Sequence, residues 1–396
     1  MSARGAQKNS GFGPITWTNP RLRALVYQLL AIAFTVAIFG YMALTARANL
    51  ERQHIASGFG FLDHTAGFGV IQSLIPYSEA DTYGRVFFVG LFNTLLVAAI
   101  GTVFAVSIGF VIGIARLSSN WLVAKLAAVY VETLRNIPLL LQLFFWYFAI
   151  LRPLPGPRES ITLLPDVFLS NRGVAMPAVL TTSSSLIFVI VAIVAIIGAI
   201  WLRRRALKNL LATGHSSYLG YAALAVLIGL PLLTVLIFGA PFHLDPPVLG
   251  KFNFSGGWHL LPEFVALTFG LSVYTASFIA EIVRSGILSV SKGQTEAAHA
   301  LGLNNVQTLR LVIIPQALRV IVPPLTSQIL NLTKNSSLAV AIAYPDLVSI
   351  FAGTVLNQTG QAIEVIAMTM GVYLVISLIT SFAMNLYNAR VAIVER

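Results

Sequence analysis

Apolar residues along this chain gather into long runs separated by short hydrophilic gaps. A helix of ~20 apolar residues is enough to cross a bilayer. Eight stretches meet that length, at about 24–46, 87–114, 123–150, 177–201, 218–240, 262–284, 318–343 and 364–388. The pattern predicts an all-α fold, a polytopic transmembrane bundle of about eight spans. Between the runs, Arg152-Pro-Leu-Pro-Gly-Pro157 and Ala240-Pro-Phe-His-Leu-Asp-Pro-Pro247 read as loops by their prolines. The run 318–343 contains Pro323, Pro324 and Lys334, which leaves open whether it is one helix or a broken one.

Composition agrees. Apolar residues make up 57% of the 396 residues and charged residues 10%, against about 45–50% and about 25% in soluble proteins. The net charge of +11 does not mark a nucleic-acid binder, because Lys and Arg sit mostly in the gaps, where they orient spans. With the N-terminus inside, sixteen of the 25 Lys and Arg fall on the cytoplasmic side and seven on the other, while Arg135 and Lys334 lie within spans. The positive-inside rule then puts both termini in the cytoplasm, as an even number of spans requires. The first run ends near Ala46-Arg47-Ala48, which resembles a signal-peptidase site. It is longer than the 7–15 residues of a signal core and reads as a retained anchor.

The chemistry of soluble enzymes is missing. There is no cysteine, which excludes disulfides and thiolate sites. The six histidines show no ligand spacing, so no metal or other cofactor is expected. No G-x-x-x-x-G-K-[ST] occurs, so the chain holds no phosphate-binding loop for ATP. The only internal echo is Glu132-x-x-Arg135 against Glu281-x-x-Arg284, too short for an inverted repeat.

The most informative segment is 285–315, a long cytoplasmic connection. Ser291-x-x-Gln294 fits a capping box that starts a helix, and Gly302 is placed to end it in the left-handed conformation. The eight to ten residues between are too few to be stable alone in water, so something must hold them. Ala297, Ala298 and Ala300 give a slim surface with Glu296 and His299 as polar handles. That suits a lid on the membrane face or a docking helix.

Glu296-Ala297-Ala298, Gly302 and Val312-Ile313-Ile314-Pro315 together resemble the EAA motif of ABC importer permeases, with Ile314 where the family often has Leu. Glu132-Thr-Leu-Arg135-Asn-Ile-Pro138-Leu-Leu-Leu-Gln142 is similar to a motif of the polar-amino-acid branch, with Asn136-Ile137 where many members have Gly-Thr. Glu281-Ile-Val-Arg284 and Gly293-Gln294 fit the same branch. The likeness covers about 85–150 and 262–390, and the enlarged form resembles the general L-amino-acid permease subunits of double-membrane bacteria.

The resemblance implies a non-catalytic permease subunit of an amino-acid importer in the inner membrane. It implies a cytoplasmic N-terminus at 1–23, a first span and external loop at 24–86, and a permease domain at 87–390 with two extra spans within 165–260. The implied partners are an ABC ATPase dimer docked at Glu296, Ala297, Ala298, Gly302 and Pro315, a second, homologous permease subunit, a periplasmic amino-acid-binding protein, and membrane lipid. An ion-coupled secondary carrier is the competing reading.

Basic residues within spans are costly and usually face a cavity or a partner. Arg135 lies one turn from Glu132, which could neutralise it. Lys334 sits in Asn331-Leu-Thr-Lys-Asn-Ser-Ser337. Either this patch joins helices, or Lys334, Asn335, Ser336 and Ser337, with Arg135, line a path for a zwitterionic substrate.

Overall fold

The computed structural model describes residues 20–52, 57–214 and 218–391; residues 1–19, expected in the cytoplasm, lie outside them. The helices are α1 (Pro20–Arg52), α2 (Tyr83–Ala115), α3 (Trp121–Asn136), α4 (Leu139–Phe144), α5 (Ser185–Thr213), α6 (Leu219–Phe238), α7 (Pro262–Leu288), α8 (Lys292–Ala300), α9 (Asn305–Thr308), α10 (Ile314–Asn335), α11 (Leu356–Thr359) and α12 (Ala362–Val391). Seven helical stretches among the described residues are long and apolar enough to cross a membrane. An eighth crossing is made if α3 and 139–151, which meet at 106°, count as one.

That bend corrects the uninterrupted span expected at 123–150. Pro138 lacks an N–H and forces the preceding residue out of the helical region; Ile137 is extended, with φ −96° and ψ 128°. The break frees carbonyls at the end of α3. Gln142 Nε2 donates to two of them, Leu134 O at 2.8 Å and Ile137 O at 2.9 Å. The sequence also places the fourth span too early. Its first residues form a strand, and α5 begins at Ser185 and runs on through Arg203–Lys208. Apolar residues such as Val179 and Leu180 suit strand and helix alike, while basic side chains at a helix end can reach the interface.

α7 is the central helix, buried along most of its length. It meets α2 along a stripe of small residues that includes Gly101, Ala105, Gly109 and Gly113. Small residues let membrane helices approach closely, and here the approach is tight: a Cβ on Gly109 would lie 2.6 Å from Ile279 Cβ. α3, α4 and α10 pack on the same helix, and Leu143, Leu267, Leu271, Ile321 and Leu332 fill the core. α5 and α6 pack chiefly on each other.

The all-α bundle carries small strands that the hydropathy pattern did not predict. They are β1 (Ile161–Leu164), β2 (Val167–Ser170), β3 (Gly173–Met176), β4 (Ala178–Thr181), β5 (Phe242–Asp245), β6 (Val248–Leu249), β7 (Phe254–Ser255) and β8 (Trp258–Leu260). β1-β2-β3-β8 form one antiparallel sheet, and β4 pairs with β5 and β6 with β7. The β4–β5 ladder closes the base of the α5–α6 hairpin. Thr182 Oγ1 donates to Ala240 O at 3.0 Å across it, and Ser185 Oγ donates to Pro241 O.

Candidate functional site

α7 and α10 bring the ends of the long connection together. A Cβ on Gly286 would meet Ile321 Cγ1 at 2.4 Å, so the end of α7 lies directly on the start of α10. Nearby, Glu281 accepts a hydrogen bond from Arg284 Nη2 at 2.6 Å and is ion-paired with Arg116, the residue that caps α2. The three helices are thus tied to one another just before the chain leaves the bundle.

α8 follows, and its nine residues match the expected length. Its C-terminus is a Schellman motif. Gly302 has φ +81°, its N–H bonds His299 O at 2.9 Å, and Leu303 N bonds Ala298 O at 3.1 Å. This satisfies carbonyls that a free helix end would leave unpaired.

The expected capping box at its N-terminus does not form. Ser291 has the extended backbone of an N-cap, but its hydroxyl caps nothing, and Gln294 Oε1 accepts from Gln316 Nε2 at 3.2 Å instead. The capping box of this loop is at Asn304 and Gln307, where it starts α9. From there a π-helical turn, Leu309–Ile313, leads without a break into α10, whose second residue is Pro315.

Within α8 only Ala298 is buried; Glu296 and Ala297 face outward. Between the last residue of α8 and Gly302, Leu301 is 82% exposed.

The polar patch marks a second break. α10 runs unbroken through Pro323 and Pro324, changes to a 3-10 helix at Ser336–Ile342 and ends at Ala343 with φ +58°. Lys334 is exposed, and Asn335 and Ser337 are half-buried. Ser336, expected beside them on a path, is instead fully buried and donates to Thr333 O at 2.7 Å. Arg135 is not paired with Glu132; its guanidinium lies 5.0 Å from the Phe278 ring centre on α7. No hydrogen bond or ion pair links it to Lys334 among the described residues.

One polar cluster escaped the sequence reading. Asn93 Nδ2 donates to Gln72 O at 2.8 Å and Pro345 O at 2.9 Å, and Leu347 N donates to Thr94 Oγ1 at 3.0 Å. Asp346, in the same connection between spans, accepts from Ser349 N at 2.8 Å and is fully buried. Burial pushes its carboxyl up to about 7, against the pull of hydrogen bonds from Ser349, Val348 and Tyr373. Asn93 lies inside a predicted span and Asp346 just beyond one, so only their pairing in space would have flagged them. No group of three or more His, Cys, Asp or Glu that could hold a metal occurs among the described residues.

Residues 216–393 match the family described as "Binding-protein-dependent transport system inner membrane component". The chain is 56% identical over 384 residues to the YhdX protein of Escherichia coli (strain K12), covering 97% of this chain and 98% of that one. It is 51% identical over 378 residues to the general L-amino acid transport system permease protein AapQ of Rhizobium johnstonii, covering 96% and 94%. It is 42% identical over 407 residues to the glutamate/glutamine/aspartate/asparagine transport system permease protein BztB of Rhodobacter capsulatus, covering 95% of each. The full-length likeness sets aside the ion-coupled carrier, and the chain belongs to the permease subunits of amino-acid ABC importers, multi-pass components of the bacterial inner membrane that are not themselves catalytic.

Proposed function

We propose that this chain forms half of a translocation path for L-amino acids and is driven by a separate ATPase docked on α8. A second, homologous permease subunit would complete the path, and a periplasmic binding protein would deliver substrate. Both termini then lie in the cytoplasm, as the distribution of Lys and Arg favours. The names of the relatives, one for general L-amino acids and one for acidic amino acids and their amides, support a broad or polar substrate range.

The observation that carries the reading is the form of α8. It is short, held at its C-terminus by the Gly302 cap, buried only at Ala298, and open along Glu296 and Ala297. A helix presented in this way can move as a unit with an ATPase seated on it. Its motion passes to the bundle through the tight α7–α10 contact at Gly286 and Ile321, with Pro315 lying on the helical run that joins α9 to α10. Rocking of these helices would open the path alternately to each side. Lys334, with Asn335 and Ser337 beside it at the break in α10, is suited to meet a substrate carboxylate. Arg135, at the bend after α3, is a second candidate.

Because the chain has no cysteine, Ala297→Cys gives a single addressable thiol. In the assembled transporter it is expected to cross-link to an ATPase subunit carrying single cysteines along its membrane-facing groove, with the yield changing between ATP-bound and nucleotide-free states. Absence of a cross-link in a complex that still hydrolyses ATP and transports would end the docking role.

A further inference from the structure

The α5–α6 hairpin has no part in the site above, yet it carries the densest charge on the chain. Trp201, Arg204, Arg205 and Lys208 recur at spacings of three and four, which puts all four on one face of α5. They line a groove of about 440 Å³. All four are exposed, and the Arg205 guanidinium lies 5.1 Å from the Trp201 ring centre. No acidic residue occurs between Asp166 and Asp245, and no ion pair to these cations is present among the described residues.

We propose that this groove binds the headgroup of an anionic membrane phospholipid, with the guanidinium forks of Arg204 and Arg205 holding its phosphodiester. Orienting a span needs only net charge on one side; it does not need cations gathered on one helical face around an indole. A guanidinium matches two phosphate oxygens at once, which an ammonium does not, and Lys208 adds charge at the rim. Above the groove the same face continues through Ile193, Ile197 and Ile200, each about half exposed or more. Acyl chains can lie along these residues while Trp201 sits at the boundary between hydrocarbon and water. A free phosphate ion would share the headgroup contacts and gain nothing from the apolar stripe, so the ligand is a lipid. Basic pockets at the cytoplasmic ends of spans take anionic headgroups in this way.

The inference rests on the chain spanning the membrane, and its test does not depend on the docking of an ATPase. The full-length protein, purified in mild detergent with its companion subunits, is mixed with phosphatidylglycerol or phosphatidylethanolamine, and bound lipid is read by native mass spectrometry. The wild type is expected to retain phosphatidylglycerol in preference to phosphatidylethanolamine. Arg204→Gln/Arg205→Gln/Lys208→Gln is expected to lose that retention by about tenfold or more. Arg204→Lys/Arg205→Lys keeps the charge, and hence the orienting signal, but loses the forks, and is expected to fall between the two. Should the Gln variant fail to assemble, the Lys variant decides. Full retention by either variant, or displacement of the lipid by inorganic phosphate, overturns the proposal. A failed cross-link at α8 with lipid retention intact would count against the docking reading alone.

Discussion

Arg116, which caps the end of α2, is ion-paired with Glu281 near the end of α7, and Glu281 also holds Arg284 at 2.6 Å. One carboxylate thus joins two guanidiniums from two helices. The Arg116 and Glu281 side chains are 15% and 28% exposed, so the pair is neither fully solvated nor sealed. Glu281→Gln is expected to cost about 1 kcal/mol, nearer the value for exposed pairs than the 3–5 kcal/mol of a fully buried one. Thermal unfolding in detergent should show a midpoint a few degrees lower. An unchanged midpoint would mean the triad does not fasten α2 to α7.

The α2–α7 seam makes a sharper prediction. Gly109→Val would force a side chain into Ile279, whereas Gly40→Val on α1 meets nothing within 4 Å. Overpacking of this kind costs about 1–3 kcal/mol. The Gly109 variant is expected to reach the membrane in reduced yield and melt earlier, with the Gly40 variant close to wild type. Equal behaviour of the two would remove close helix approach as the reason for the stripe.

Gly302 separates strain from crowding. A Cβ there would touch nothing within 4 Å, but φ is +81°. A non-glycine residue therefore pays only for the left-handed backbone, about 1–2 kcal/mol, and Asn tolerates that region better than a β-branched residue. Gly302→Val is expected to insert normally yet lose most substrate-stimulated ATP hydrolysis and uptake, while Gly302→Asn keeps a large part of both. Normal uptake by the Val variant would refute the role of the cap in coupling.

Lys334→Met keeps the length and apolar stem of the side chain and removes its charge. Lys334 is exposed, so assembly and basal ATP hydrolysis are expected to stay near normal. If the ammonium meets a substrate carboxylate, uptake falls by an amount that depends on the amino acid offered. Wild-type uptake of every amino acid would discard the contact.

Asp346 gives a prediction in pH. Its carboxyl is pushed from 3.8 up to about 7 in the folded protein, so between those values the native state holds a proton that the unfolded state has released. Stability therefore falls as pH rises from about 4 to about 7 and then levels off. Asp346→Asn cannot ionise. Its melting temperature relative to wild type is expected to climb over that window and then hold steady. A constant difference from pH 4 to 8 would show that the carboxylate is already ionised in the native state.

By itself the sequence determined the membrane class, a count of crossings within one of the seven or eight in the structure, and the place of the short helix α8 and its Gly302 end. Spans are legible because a bilayer demands long apolar runs whatever they pack against. Gly302 was legible because a left-handed helix end leaves glycine few rivals. The tertiary structure decided what depends on partners distant in the chain. Pro138 announces a possible break, but the 106° bend is supported by Gln142 capping the freed carbonyls from the other side of it. Ser291 and Gln294 have the right spacing for a capping box, yet Gln316, 22 residues on, takes the glutamine. The strands escaped because β4 and β5 are 61 to 67 residues apart in their pairing of Thr181 with Phe242 and Ala178 with Asp245, and four apolar residues show no period that tells a strand from a helix. Ser336 and Asp346 look like path and loop in the sequence, and both are buried. Hydropathy sums what each residue prefers alone, whereas hydrogen bonds and close contacts join two groups, and the second member of each pair is supplied only by the fold.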